Sequence, residues 1–161
     1  MIIKVIAVGR LREKYWQDGV AEYSRRLKPY ARLELVEIPE ARVPENASPA
    51  EEAKAMAEEA GMIQDRLPER GESLVIALDR QGKALDSLEL AGLVERQVLD
   101  GRKEVDWIIG GPLGLGTQIT KRADLVVSFS RLTFPHQMMR LILLEQIYRI
   151  FRIMHRQPYH K

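Results

Sequence analysis

Five short runs of mostly β-branched and other apolar residues alternate along this chain with segments whose apolar residues recur at helical spacing. That alternation leaves little choice of architecture. Ile2 to Gly9 reads as a buried strand ending at glycine. Glu13 to Lys28 reads as a helix, with Tyr15, Trp16, Val20, Tyr23 and Leu27 on one stripe and Pro29 as its stop. Arg32 to Ile38 alternates charged and apolar residues, as a half-buried strand does. Pro39 and Pro44 bracket a loop. Ser48-Pro49 opens a helix that runs to about Arg66, with Ser as cap and Pro in the first turn. After Pro68 and Gly71, Ser73 to Leu78 is a second buried strand, followed by a polar turn from Asp79 to Lys83 and a helix from Asp86 to Leu99. Val105 to Ile109 and Leu125 to Phe129 are further strands, separated by a short helix over Thr117 to Ala123. A long helix closes the chain from about Pro135 to Met154. The order βαβαβαβαβα calls for an α/β fold built on a mostly parallel sheet flanked by helices.

The last helix is apolar on more than one side, through Met138, Leu141, Ile142, Leu144, Ile147, Tyr148 and Phe151. It must be buried on two sides, or on one side plus a second chain. No apolar run is long enough to span a bilayer, and the N-terminal run lacks the basic leader and cleavage site of a signal peptide. The chain has no cysteine, which excludes disulfides, thiolate metal sites and thiol nucleophiles. These features together lead us to expect a cytoplasmic protein without membrane contact.

Ligands of parallel sheets bind beyond the carboxyl ends of the strands. Three such ends stand out: Leu78 to Lys83, Gly110 to Gly114, and Ser128 to Pro135. The glycine cluster matches neither G-x-G-x-x-G nor a P-loop, and Pro112 removes an N–H that an anion nest would need. A purine nucleoside held by backbone groups suits it better than a polyphosphate; a plain Gly-rich turn is the other reading. His155 and His160 lack a third partner at ligand spacing, so we expect no metal. No Gly-x-Ser-x-Gly elbow is present, which leaves hydrolase chemistry unsupported. Net charge is only +2, yet Arg131 to Lys161 carries six Lys or Arg against one acid, Glu145, together with all three histidines. A basic C-terminus of this kind suits either a polyanionic partner or a solvated helix face.

Four motifs occur in order: Leu78-Asp79 with Gly82-Lys83, Ile109-Gly110-Gly111-Pro112-x-Gly114, Leu132-Thr133-x-Pro135-His136, and Pro158-Tyr159-His160-Lys161. With Ile6-Ala7-Val8-Gly9 and Glu22-Tyr23, they closely resemble the large-subunit ribosomal RNA methyltransferase H family, the pseudouridine N3-methyltransferases of the SPOUT superfamily. The resemblance runs over essentially the whole chain. It implies a single domain over 1–161, with a C-terminal trefoil knot in a cofactor-binding part from about 73 to 161. It also implies a homodimer, S-adenosyl-L-methionine as cofactor, and the ribosome's 23S RNA as partner. Carried over residue by residue, Leu78, Gly111, Ser130, Arg131, Leu132, Thr133, Phe134 and Pro135 are expected to bind the cofactor. Tyr159, His160 and Arg152 are the candidates for the catalytic edge. Two residues depart from the family pattern: Leu113, where a polar residue is expected, and Arg131, which is bulky for a pocket segment. A tRNA methyltransferase of the same superfamily, or a non-catalytic RNA-binding module, is the alternative to rRNA methylation.

Overall fold

The computed structural model describes residues 1–159. Ten elements follow in the expected order: β1 (Ile2–Val8), α1 (Lys14–Leu27), β2 (Arg32–Ile38), α2 (Pro49–Gln64), β3 (Leu74–Ala84), α3 (Ser87–Leu99), β4 (Glu104–Ile109), α4 (Thr117–Arg122), β5 (Leu125–Ser128) and α5 (His136–Met154). The strands form one parallel sheet in the order β2-β1-β4-β3-β5.

The two-residue period of the strands divides the core between two layers. Ile3, Val5 and Ala7 of β1 share one face with Leu74, Ile76 and Leu78 of β3 and with Val105, Trp107 and Ile109 of β4. That face is covered by α1, α3 and α5. Ile6 and Val8 of β1, Val75 and Ala77 of β3, and Ile108 of β4 point the other way, under α2 and α4. The crossovers obey one rule. Steps toward the β2 edge, from β1 to β2 and from β3 to β4, pass through the first layer. Steps toward the β5 edge, from β2 to β3 and from β4 to β5, pass through the second. All four therefore have the same hand, as a twisted sheet requires.

Helix starts follow their sequence signals in two cases. Ser48 with Glu51 and Asp86 with Glu89 form full capping boxes on α2 and α3. α5 has no side-chain cap, so packing holds it. Leu143, Leu144 and Ile147 are fully buried, each removing from water enough surface for about 1.5–3 kcal/mol. α5 lies on the sheet with α1 and α3 on either side. Of its apolar residues, Leu141, Leu144, Ile147, Tyr148 and Phe151 pack within the chain, while the half-buried Met138 and Ile142 belong to neither core layer. The turn expected from Asp79 to Lys83 takes a different form. Leu78 and Lys83 both pair with Val127, and residues 79–82 bulge out between them while the strand resumes to Ala84. The turn chemistry survives inside the bulge: Asp79 Oδ1 accepts the Gln81 N–H at 2.8 Å.

The amino-terminal edge of the sheet carries a polar cluster that the apolar strand pattern did not announce. Asp106 of β4 has no solvent exposure. It accepts from Ser73 Oγ at 2.5 Å, and Lys4 of β1 lies 3.3 Å away while also bonding Glu104. Burial raises the Asp106 carboxyl above its ordinary value, against the opposing pull of Ser73 and Lys4. Burial works to lower Lys4, but Glu104 and Asp106 outweigh it and leave the ammonium raised. Removing the cation leaves a buried carboxyl with one hydroxyl partner. We expect Lys4→Met to cost about 3 kcal/mol near neutral pH in a denaturant titration. While the carboxylates are ionised, the contribution of the Lys4 charge is whole below pH 10.5 and lost as pH climbs through the raised Lys4 value. The variant should therefore show a flatter alkaline limb of stability than the parent, and an equally steep one would contradict the pairing.

Candidate active site

β3 is followed by a helix of the first layer and its neighbour β4 by a helix of the second. Chain ends leaving a sheet in opposite directions open a crevice between them. A cleft of about 740 Å³ occupies that position, within the ~300–1,000 Å³ typical of small-molecule sites. Its walls come from Leu78 to Gln81 at the bulge of β3, Ile109 to Leu115 at the end of β4, and the segment from Phe129 to Met139 that joins β5 to α5. The three strand ends singled out in the sequence thus converge on one site.

The β4 wall is a tight turn. Gly114 N–H donates to Gly111 O at 2.9 Å across Pro112 and Leu113. Pro112 presets the first central position, and Gly114 takes φ +86 as the turn's last residue. Gly110 permits the turn to fold back on itself: a Cβ there would stand 2.7 Å from the Gly114 carbonyl carbon and oxygen. A Cβ on Gly111 would start 3.0 Å from Val8 Cγ1 and 3.4 Å from Glu59 Oε2, at the base of the turn. Glu59 itself is buried and accepts the Ala41 N–H at 2.9 Å. Burial lifts its carboxyl above the ordinary value, opposed by that N–H and assisted by Glu40 and Glu58. Leu113 lines the cleft as a half-buried apolar side chain.

The opposite wall is stitched by short polar bonds. Ser128 Oγ donates to Ser130 O at 3.1 Å, and Ser130 Oγ accepts the Leu132 N–H at 2.9 Å. Arg80 Nη1 reaches across the mouth to Thr133 Oγ1 at 3.1 Å, joining the β3 bulge to the β5–α5 segment. The lining is mostly apolar, with Leu78, Ile109, Leu115, Val127, Phe129, Phe134 and Met139, while Asp79, Arg80, Gln81, Ser130 and Thr133 supply polar groups. An apolar slot edged by backbone amides and carbonyls can clasp a flat heterocycle, with hydroxyls and carboxamide at hand for a polar tail. Among the described residues no group of three or more His, Cys, Asp or Glu could hold a metal, and no helix is long and apolar enough to cross a membrane.

Of the residues expected to bind cofactor, Leu78, Gly111, Ser130, Leu132, Thr133, Phe134 and Pro135 line this cleft; Arg131 is exposed and does not. Gly110, His136 and Met139 belong to the same walls without having been among the residues expected to bind the cofactor. For Gly110 the signal was present in the doubled glycine before Pro112. The tail residues lie elsewhere. Tyr159 OH donates to Glu145 Oε1 at 3.1 Å, and its ring meets Tyr148 at 4.9 Å and the Arg149 guanidinium at 4.8 Å. Burial pushes the Tyr159 phenol up, helped by Tyr23 and Glu145, so it stays protonated here and acts as a donor. Arg152 donates to Tyr148 OH at 3.1 Å and to Pro158 O at 3.0 Å. At a rise of about 1.5 Å per residue, Glu145 stands about 14 Å along α5 from His136 at the cleft, and Arg152 about 24 Å. One chain therefore does not bring Tyr159 and Arg152 to the cleft; His160 lies outside the described residues. The basic C-terminal charge is also partly committed: Arg140 is buried, and Arg149 pairs with Glu145.

A family model described as "Predicted SPOUT methyltransferase" matches residues 1–160. A curated protein named ribosomal RNA large subunit methyltransferase H from Carboxydothermus hydrogenoformans is 48% identical over 161 residues, covering all of both chains. Its namesake from Moorella thermoacetica is 50% identical over 159 residues, 99% of this chain and 98% of that one. Among solved structures, a probable methyltransferase from Bordetella pertussis Tohama I shares the fold with a TM-score of 0.56 at 16% identity, covering 92% of this chain and 95% of its own.

Gly110→Ala tests the turn. Its methyl must push the Gly114 carbonyl aside, and we expect nucleoside ligand affinity to fall at least tenfold, about 1.4 kcal/mol. Isothermal titration with S-adenosylhomocysteine reads the change, and parental affinity would contradict this placement of the wall.

Proposed function

Because the chain belongs to the SPOUT methyltransferase family, we propose that it methylates large-subunit ribosomal RNA with S-adenosylmethionine seated in the cleft beyond β3 and β4. The observation that carries this reading is the convergence of three strand-end segments on one crevice of cofactor size. The names of full-length relatives near half identity supply the substrate class. Within that class the acceptor is N3 of a pseudouridine in 23S RNA, presented on the assembled ribosome in the cytoplasm. This narrower assignment rests on the family resemblance of the four motifs.

The residues present suit the cofactor. The apolar walls at Leu78, Ile109 and Leu115 accept an adenine face, and the turn around Gly110 and Gly111 offers backbone groups to its edge. Ser130 to Pro135 surround the remainder, with Arg131 outside the lining. S-adenosylmethionine supplies an electrophilic methyl on a sulfonium; the protein's task is to align it with the acceptor and exclude water. The acceptor N3 carries a proton that must leave, so a base or a stabilising cation is needed beside it. We assign that edge to the tail, with His160 as proton acceptor and Arg152 on RNA phosphate. Tyr159, held protonated, is a hydrogen-bond donor rather than a base. The distance of the tail from its own cleft is an argument for the homodimer, in which a second copy can bring its tail to the first copy's cleft. The trefoil knot over the cofactor-binding part belongs to the same proposal.

Incubation with cofactor and whole ribosomes, free subunits, free rRNA or tRNA, followed by mass mapping, decides the substrate. We expect one added methyl on a 23S pseudouridine, formed best on whole ribosomes. Methyl on tRNA, or cofactor binding without transfer to any RNA, would overturn the reading. Deleting residues 158–161 should reduce turnover at least about 100-fold, the scale of a lost acid–base group, while S-adenosylhomocysteine affinity persists. Full turnover in the truncated protein would remove the tail from the chemistry.

A further inference from the structure

No residue before Leu78 lines the cleft, yet the N-terminal strand is built into its wall. The first turn of α5 supplies His136 and Met139 to the lining, and it has no side-chain cap to hold it. Its anchor lies one turn further on. Arg140, 5% exposed, donates through Nη2 to the carbonyls of Val8, at 3.1 Å, and Gly9, and through Nη1 to Glu37 Oε1 at 2.7 Å. Glu37 also accepts the Leu11 N–H at 3.0 Å, and Gln137 Oε1 accepts the Arg12 N–H at 3.0 Å. The loop after β1 is therefore tied to α5 at three points.

Gly9 completes the clamp. It takes φ +86, donates its N–H to Ile38 O at 2.8 Å, and lies beside the Nε2–Cδ2 edge of the His136 ring. A Cβ there would stand 3.1 Å from His136 Nε2 and 3.5 Å from Glu40 Oε2. Residues 136 and 140 of α5, one turn apart, thus grip the same glycine, one beside its α-carbon and the other on its carbonyl.

An apolar residue would fill the Arg140 site without the cost of burying a guanidinium. What the guanidinium adds is direction. A planar fork bonded to two strand-end carbonyls and a carboxylate fixes both the rotation of α5 about its axis and its slide along it. We propose that Arg140 is a positioning residue for the cleft: through Val8, Gly9 and Glu37 it sets where His136 and Met139 stand, so β1 shapes a pocket to which it contributes no lining residue. This inference rests on reading the cleft as the nucleoside cofactor site.

Four variants test it by titration with S-adenosylhomocysteine alongside thermal unfolding. Arg140→Met should weaken binding about tenfold, within the range by which residues outside a site modulate affinity. Arg140→Lys should recover part of the loss, since an ammonium keeps the charge but not the fork. Gly9→Ala should weaken binding with Arg140 intact, by pressing on His136. Lys4→Met, at the opposite end of the sheet, should lower the melting temperature yet bind as the parent does. The proposal is overturned if Arg140→Met binds within about twofold of the parent, or if Lys4→Met loses as much affinity as Arg140→Met. A parent protein that binds no S-adenosylhomocysteine would overturn the cofactor reading, and this inference with it.

Discussion

β4 lies between β1 and β3, and the rest of the molecule depends on that placement. It comes from the second half of the chain, yet its pairing with β1 from Ile2↔Glu104 to Ala7↔Ile109 joins the two halves in one sheet. It is buried on both faces, and apart from Glu104 and Asp106 it is apolar, as a central parallel strand should be. Its exit toward α4, beside the exit of β3 toward α3, opens the crevice that becomes the cleft. The register also sets Lys4 opposite Asp106. Each charge, costly to bury alone, thereby meets an opposite one inside the sheet, far from the site.

The two ends of the sheet divide the work. The amino-terminal edge is closed by charged groups that pair with one another, and its duty is cohesion. The carboxyl-terminal edge exposes turns whose backbone groups are left for a ligand. α5 runs between these duties. Its first turn lines the cleft and its middle fills the core under the sheet. Its last turns carry an aromatic cluster of Tyr148, Phe151 and His155 against Tyr30 and Tyr159. A helix committed along its whole length transmits any displacement at one end, so its anchoring at Arg140 bears on the site as well as on stability.

Much of this was legible in the sequence, because the local signals agreed with one another. The strand runs, the Ser48 cap and the prolines placed the elements, and the residues after each strand located the cleft walls. What was not legible depends on side chains meeting across the fold. Arg140 reads in sequence as one more basic residue of a basic C-terminus, and only the approach of β1 turns it inward. Lys4 and Asp106 look like interruptions of apolar strands until the register sets them side by side. The bulge at 79–82 reads as a turn because its chemistry is that of a turn; the resumption of pairing at Lys83 is set by β5, which lies more than forty residues away. Tyr159 sits in a recognisable motif and Arg152 in the basic stretch before it, but the length of α5 determines that one chain holds them away from the cleft.

A crystal structure of the full chain with S-adenosylhomocysteine tests the central claim most directly. The account predicts the adenosine between Leu78, the Gly110–Leu115 turn and the Ser130–Pro135 segment, with its base edge on backbone groups. Ligand density at any other place, or side-chain contacts that bypass the Gly110–Gly114 turn, would contradict it.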